Sequence, residues 1–392
     1  MKKAVIVDAL RTPIGAFGGK LKDVPAVELG QELTREALKK FKTNDVKIDE
    51  VIFGQVFQAG QGQNTARQIS LGAGISEETP AWTVNKVCGS GLKAVSLGAQ
   101  SIMLGESEIV IAGGVENMSQ APYLLPKTRW GLKMGDGQLV DSMLKDGLTD
   151  GFSGGHMGLT AENMATKWQI TRDDQDRYAL QSQQRAEKAV KEGRFKDEIV
   201  PITLTGRKGE TTLFDQDEYP RFGMNLESLQ KLKPAFQKDG TVTAGNSSGI
   251  NDGGAVLVLM SEEKAYELDK KPLAFVTSFA SAGVDPDYMG YGPVPAVKAA
   301  LNKAKLSIDE IDLFEINEAF AVQMLVVTKE LGLKEKNTNI NGGAIALGHP
   351  IGCSGARVLV TLIHEMMKQN AQSGLAGLCI GGGQGIAMTI RR

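Results

Sequence analysis

Short apolar runs alternate with helical repeats along the first part of the chain. Residues 3–10 form a short apolar run of the buried-strand type, an Arg11-Thr12-Pro13 turn follows, and residues 27–41 repeat their apolar positions at helical spacing. A second strand is predicted over 51–57, helices over 65–72 and 92–104, and an Ile- and Val-rich strand over 107–114 that ends in Gly113-Gly114. Alternation of this kind predicts an α/β fold with a mostly parallel sheet covered on both faces.

The last third of the chain repeats the layout. Ile308-Asp309-Glu310 echoes Ile48-Asp49-Glu50 (308 − 48 = 260), Ser354-Gly355 echoes Ser90-Gly91 (354 − 90 = 264), and Leu378 to Gly382 echo Val110 to Gly114 (378 − 110 = 268). Matching elements in the same order at slowly drifting offsets predict two similar halves packed about a pseudo-twofold axis. The reading is an N-terminal half over 1–119, completed by 243–270, and a C-terminal half over 271–392. Between them, residues 120–242 differ in character. They hold loops dense in Gly, Asp and Pro and one amphipathic helix opened by Thr171-x-x-Asp174 and closed near Gly193, the pattern of an inserted binding layer. The run 255–260 after the insertion is expected to rejoin the first half's sheet.

Composition narrows the function. The net charge of −2 in 392 residues excludes a general attraction to nucleic acid or an anionic membrane. The uncharged run 369–390 is broken by six glycines and reads as buried strands. Three cysteines, an odd count with no C-x-x-C, point to a reducing compartment, and the four apolar residues after Lys3 are too few for a signal peptide, so a cytoplasmic protein is expected. The 47 glycines, roughly 12% against a usual ~7%, mark close backbone approach around a site.

Candidate chemistry centres on Cys88-Gly89-Ser90-Gly91 at the start of a helix. A thiol there sees unpaired backbone N–H groups that favour the thiolate, and bringing its pKa from about 8.5 to about 7 takes roughly 2 kcal/mol. Taken alone, Cys88 also fits a small buried hydrophobe. His349, one of three histidines, lies in the second-half counterpart of the Cys88 turn, so pseudo-twofold packing would bring the two together as a Cys–His pair. Cys379, before Gly381-Gly382-Gly383, offers a second thiol, and Asn317, after the run 311–316, a donor for an oxyanion.

In this order these residues resemble the thiolase family, most closely its biosynthetic branch, the acetyl-CoA acetyltransferases. The match runs from Arg11-Thr12-Pro13-Ile14-Gly15 through the Cys88 turn, Gly114-Val115-Glu116-Asn117-Met118-Ser119, His156-Met157-Gly158, Asn246-Ser247-Ser248-Gly249, Asn317-Glu318-Ala319-Phe320 and Gly348-His349-Pro350 to Cys379–Gly385. The resemblance implies a five-layered αβαβα duplicated fold with an inserted loop domain. It implies a reversible Claisen condensation of two acetyl-CoA to acetoacetyl-CoA plus CoA. Cys88, deprotonated by His349, would carry the acetyl group, and Cys379 would take a proton from the second acetyl-CoA. His349 and a water on Asn317 would hold the enolate oxygen, and the N–H groups of Cys88 and Gly381 the tetrahedral oxygen. For CoA it implies Ser248 at the pantetheine, Leu148, Phe236 and Phe320 as apolar walls and Arg221 near the adenine, with His156, Met157 and Met289 near the acyl pocket. Cys353 matches no catalytic position. CoA is substrate and product, with no metal or other cofactor, and a homodimer or tetramer is implied. The alternative is a degradative 3-ketoacyl-CoA thiolase for longer chains.

Three readings outside this scheme are weaker. Gly89-x-Gly91-x-x-Ala94 fits part of a dinucleotide fingerprint, but 77–87 contains Pro80 and Lys86 and reads poorly as a central strand, and Glu116 is placed beyond the Gly113-Gly114 turn. Gly-x-Ser-x-Gly occurs at 151–155 and 245–249, after no convincing strand. A noncatalytic acyl-CoA-binding relative is disfavoured by the joint presence of Cys88, His349, Cys379 and Asn317.

Overall fold

The computed structural model describes residues 1–41, 46–206 and 208–392. The first half is built from β1 (Ala4–Arg11), α1 (Ala26–Lys39), β2 (Glu50–Gly54), α2 (Thr65–Gly72), β3 (Ala81–Val84), α3 (Ser90–Leu104) and β4 (Ile109–Asn117). The inserted layer holds α4 (Met157–Trp168), α5 (Arg172–Lys191) and two short hairpins, after which β5 (Asn251–Ser261) runs back through the first sheet. The second half follows as β6 (Ala274–Gly283), α6 (Pro293–Ala304), β7 (Leu313–Ile316), α7 (Ala321–Leu331), α8 (Ile351–Gln369), β8 (Ser373–Ile380) and β9 (Gln384–Arg391).

The strands join one ten-stranded sheet in the order β7-β8-β9-β6-β1-β5-β4-β2-β3, with the two-residue strand Gly15–Ala16 also on β5. The order is a palindrome of the duplication. Each half contributes its first strand to the centre, where β1 meets β6 antiparallel at Val5–Phe275 and Ile6–Ala274. The sheet is mixed, which corrects the expectation of a mostly parallel one. Only β2–β3, β2–β4 and β7–β8 pair parallel. The glycine turn after Ile380 folds β8 and β9 into a hairpin, and β5 enters between β1 and β4 antiparallel to both. Gly113-Gly114 is not a turn either: both residues pair with β5 inside β4, which carries on to Asn117 and places Glu116 within the strand. The segment around Pro80 does form a strand, β3, at the sheet edge where a missing N–H is tolerated.

Helices sit in three layers around this sheet. The apolar stripes of α1 and α2 cover the outer face of the first half, and α6 and α7 that of the second. Between the halves lie α3 and α8, whose apolar residues merge with the strands of both halves into one core containing Leu92, Val95, Ala99, Val358 and Leu362. A helix buried on all sides needs small residues where it meets its neighbour. A Cβ on Gly91 would lie 2.6 Å from Ala356 N, and one on Gly355 2.3 Å from Leu92 N. The two glycines are mates at the offset of 264 (355 − 91), so the crossing point of α3 and α8 lies at the pseudo-twofold axis and draws their N-termini together.

The inserted layer is tied down by charge as well as packing. Fully buried Arg11, at the end of β1, bonds Glu198 at 2.6 Å and Asp217 through both terminal nitrogens at 2.7 and 2.9 Å. Its α5 opens with the expected Thr171–Asp174 capping box. Among the described residues no helix is long and apolar enough to cross a membrane, and no three His, Cys, Asp or Glu side chains are grouped to hold a metal ion.

Candidate active site

Cys88 stands on a tight turn between β3 and α3. Val87 before it has φ +46°, a conformation a β-branched residue adopts only at a cost of about 1–3 kcal/mol. The turn is held by local bonds. Asn85 Oδ1 accepts from Val87 N–H at 2.9 Å, the Gly89 N–H donates to Lys86 O at 3.0 Å, and Ser90 Oγ donates to Val87 O at 2.6 Å. The strained residue thereby aims the thiol out of the helix start and into a cavity.

That cavity, about 430 Å³, is walled by Cys88 and His349 together with Leu148, His156, Met157, Arg221, Phe236, Ser248, Met289 and Phe320. Every residue that the sequence suggested for CoA therefore lines one cavity with the two residues suggested for the Cys–His pair. His156 stacks on Phe236 at 4.5 Å, and Phe236 meets Phe320 edge-on at 6.3 Å, giving an aromatic wall. His156 also caps α4, its Nδ1 accepting from Gly158 N–H at 3.0 Å, and burial lowers its pKa. Arg221 lies exposed at the mouth over the Tyr219 ring. Residues 246–248 are laced to the Phe320 segment: Ser248 N–H donates to Ala319 O, and Ala321 N–H to Asn246 O, both at 2.9 Å.

Cys379, Asn317 and Gly381 lie just behind this wall. Cys379, fully buried at the end of β8, packs with Met157, Met289 and Phe320. Gly381 is pressed so closely that a Cβ would fall 2.1 Å from Met157 Cε, and its N–H, with that of Cys88 itself, pulls the Cys88 sulfur towards the thiolate. Asn317 leaves β7 fully buried, its amide nitrogen 3.5 Å from both ring nitrogens of His349 and its Oδ1 without a protein partner.

Burial sets the charges. It pushes the Cys88 thiol up to about 11, against the pull of the two N–H groups on its sulfur. Cys379 is raised further, by burial and then by the neighbouring Cys88. His349 is lowered to about 3, first by burial and then by the Arg357 guanidinium. The helix-start argument for a preformed thiolate is thus overturned, because desolvation outweighs the helix dipole in an apolar pocket. The site holds two thiols and a neutral imidazole, a base ready to accept a proton at the moment of attack.

Sequence reading missed several residues that hold this geometry. Asn251 Oδ1 accepts from His349 N–H at 2.9 Å, and Ser354 Oγ lies 2.6 Å from His349 Nδ1. Buried Glu116 accepts from Val56, Phe57 and Gly352 N–H groups and so ties the β2 loop to the start of α8. Asn251 and Glu116 act across 59 to 236 residues of sequence and Ser354 across five, and only the motifs around Glu116 and Ser354 hinted at them. Cys353 is packed in the α3–α8 core, away from the cavity wall.

Family models describe the whole arrangement. The model for "Thiolase, N-terminal domain" matches residues 4–263 and that for "Thiolase, C-terminal domain" residues 270–392. The chain belongs to the thiolase family. The enzyme is an acyltransferase of that family, similar to the acetyl-CoA acetyltransferase of Pseudomonas aeruginosa (56% identical, covering 100% of both chains) and to that of Syntrophomonas wolfei (55%, covering 99% of both). Among solved structures, this thiolase matches the Bacillus anthracis acetyl-CoA acetyltransferase with TM-score 0.97 at 48% identity, over 100% of this chain and 99% of that one. It matches the human mitochondrial 3-ketoacyl-CoA thiolase with TM-score 0.96 at 45% identity, over 100% and 98%.

Proposed function

We propose that this thiolase is an acetyl-CoA acetyltransferase that condenses two acetyl-CoA to acetoacetyl-CoA and CoA, reversibly and through an acetyl group on Cys88. The observation that carries the reading is the apolar cavity whose wall presents Cys88 and His349 together, with Cys379 packed against its Met157, Met289 and Phe320 lining. His349 takes the Cys88 proton as the sulfur attacks the thioester carbonyl, and CoA leaves with a proton. The N–H groups of Cys88 and Gly381 would hold the oxygen of that tetrahedral intermediate, a donor pair of the kind whose loss costs about 3 kcal/mol each. In the second half-reaction Cys379 first gives its own proton to His349 and then, as thiolate, takes a proton from the methyl of another acetyl-CoA. The enolate oxygen rests against the protonated His349 and the Asn317 side, the carbanion attacks acetyl-Cys88, and Cys379 returns the methyl proton to the freed sulfur and recovers its own from His349. CoA is held as substrate, with Ser248 at the pantetheine, the Leu148, Phe236 and Phe320 walls around it and Arg221 toward the adenine. No metal or further cofactor enters the scheme.

Met289, packed with Met157 and Phe320, supports a short acyl end. The likeness to a 3-ketoacyl-CoA thiolase supports the second reading, degradation of longer chains. CoA-dependent cleavage of acetoacetyl-CoA beside 3-ketooctanoyl-CoA separates the two. A strong preference in kcat/KM for acetoacetyl-CoA is expected, and equal or better cleavage of the longer chain refutes it.

Three free, buried cysteines support a cytoplasmic location. A homo-oligomer is supported by the hairpin arm around Tyr123–Leu124, where Trp130 is 84% and Met134 98% exposed, and by the sheet ending on β3. The proposed units are the two halves and the inserted layer, with boundaries near 119, 242 and 270.

A further inference from the structure

Ser354 joins the His349 ring to the backbone at the start of α8. Ser354 Oγ lies 2.6 Å from His349 Nδ1 and 2.9 Å from Pro350 O, one turn back along α8. A hydroxyl has one proton, and a carbonyl oxygen only accepts. Pro350 O also accepts the Cys353 and Ser354 N–H groups at 2.9 Å; with the hydroxyl proton shared onto it as well, the Ser354 oxygen is an acceptor and the 2.6 Å contact forms from Nδ1–H, whereas a hydroxyl turned onto Nδ1 would leave the proton on Nε2. Asn317 does not compete, since its amide nitrogen is a donor 3.5 Å from each ring nitrogen. The histidine backbone is fixed as firmly as the ring. Its N–H donates to Asn251 Oδ1, and Asn251 Nδ2 donates in turn to Gly15 O at 3.0 Å. A Cβ on neighbouring Gly348, at φ +108°, would strike the Asn251 side chain at 2.5 Å.

We infer that Ser354 is a positioning residue for acyl transfer, holding His349 in the Nδ1–H tautomer so that Nε2 is the atom that takes the Cys88 proton. The inference rests on the proposed roles of Cys88 and His349. In the step, the Cys88 S–H bond breaks, an N–H bond forms at Nε2, and the sulfur keeps the electron pair that attacks the carbonyl. The resulting imidazolium keeps its Nδ1–H on Ser354 Oγ. A neutral hydroxyl orients the ring without attracting its positive charge as a carboxylate would, so the resting pair stays thiol and imidazole and the proton moves only when substrate is in place. Ser354 is fully buried on the first turn of the helix that follows the His349 loop, so ring and loop move as one body.

The test begins with the unaltered enzyme carrying isotope-labelled histidine. Only three histidines are present, and ring chemical shifts distinguish Nδ1–H from Nε2–H. His349 in the Nδ1–H form is expected; the Nε2–H form overturns the inference whatever any variant does. Ser354→Ala then removes the acceptor. The His349 tautomer is expected to shift, kcat for thiolysis to fall about 10²-fold with KM little changed, and alkylation of Cys88 by iodoacetamide to slow in parallel. An unchanged tautomer with unchanged kcat and alkylation overturns it. Tautomer and alkylation need no CoA turnover, so an enzyme inactive on acetoacetyl-CoA would sink the substrate reading while leaving these two measurements to judge Ser354.

Discussion

Glu318 offers a way to weigh the contact between the inserted layer and the catalytic half. Its buried carboxylate accepts four bonds: Oε1 from Tyr178 Oη at 3.0 Å and Asn339 Nδ2 at 3.1 Å, Oε2 from Ser182 Oγ at 2.6 Å and Ile345 N–H at 3.2 Å. Two donors come from α5 and two from the second half, immediately beside Asn317. In Glu318→Gln the amide nitrogen must replace one oxygen. Tyr178 and Ser182 can reverse their hydroxyls to accept from it, but Asn339 Nδ2 and Ile345 N–H cannot. Whichever way the amide is turned, one buried donor is orphaned, at about 1–3 kcal/mol. Glu318→Ala orphans all four, which at the lower bound sums to about 4 kcal/mol before any cavity is counted. The order of stability in guanidinium unfolding is therefore wild type, Gln, Ala, with about 1–3 kcal/mol between the first two. Thiolysis should fall with it, since Asn317 and the helix Ala344–Leu347 that leads to His349 share this anchor. A Gln variant as stable as wild type, or an Ala variant as stable as Gln, would refute the bond-counting argument.

Two further outcomes follow from the site. Cys379→Ala should still accept an acetyl group on Cys88, seen as an added acetyl by mass spectrometry, while forming no acetoacetyl-CoA; loss of both steps would reject the separate roles of the two thiols. Glu315, buried on β7, has its pKa raised to about 8, chiefly by desolvation. A raised folded pKa stabilises below the unfolded value of 4.5 and is lost as pH rises through 8, so this residue should cost stability between those limits by at most about 1.4 kcal/mol per pH unit. Glu315→Gln should flatten the decline measured by unfolding at pH 5 and pH 8, and an unchanged slope would contradict the assignment.

Much of this was legible in the order of residues. The helix expected over 65–72 is α2 to the residue, and the offset of 264 already paired the turn of Cys88 with the loop of His349, because duplication leaves a trace that one sequence can show. Strand direction was not legible. Parallel and antiparallel buried strands share one apolar pattern, and the hairpin of β8 and β9 depends on how Gly381-Gly382-Gly383 turns. Glu116 was misplaced because a glycine pair reads as a turn even where it serves close strand packing. The protonation of Cys88 was misjudged for a different reason: a helix start is visible in sequence, whereas the apolar wall that desolvates the sulfur comes from residues as distant as Ile351. Asn251 has no local signature, since the His349 N–H it accepts lies 98 residues away and is brought to it by the fold, and Ser354, though only five residues from His349, reads as an ordinary helix-start serine.

The stems of the inserted layer meet on a single rung. Asn117, the last residue of β4, pairs with Asp252 at the start of β5, and Asp252 clamps Ser119 through both carboxylate oxygens at 3.0 and 2.6 Å. Everything between leaves and returns at adjacent points of one ladder. Such an insertion behaves as a cassette: it could be exchanged between relatives without altering strand order, while Cys88, His349 and Cys379 stay on the sheet and helices beneath. Editing the cassette then changes the Leu148, His156, Met157 and Phe236 side of the cavity, while the Met289 and Phe320 side and the proton chemistry stay as they are.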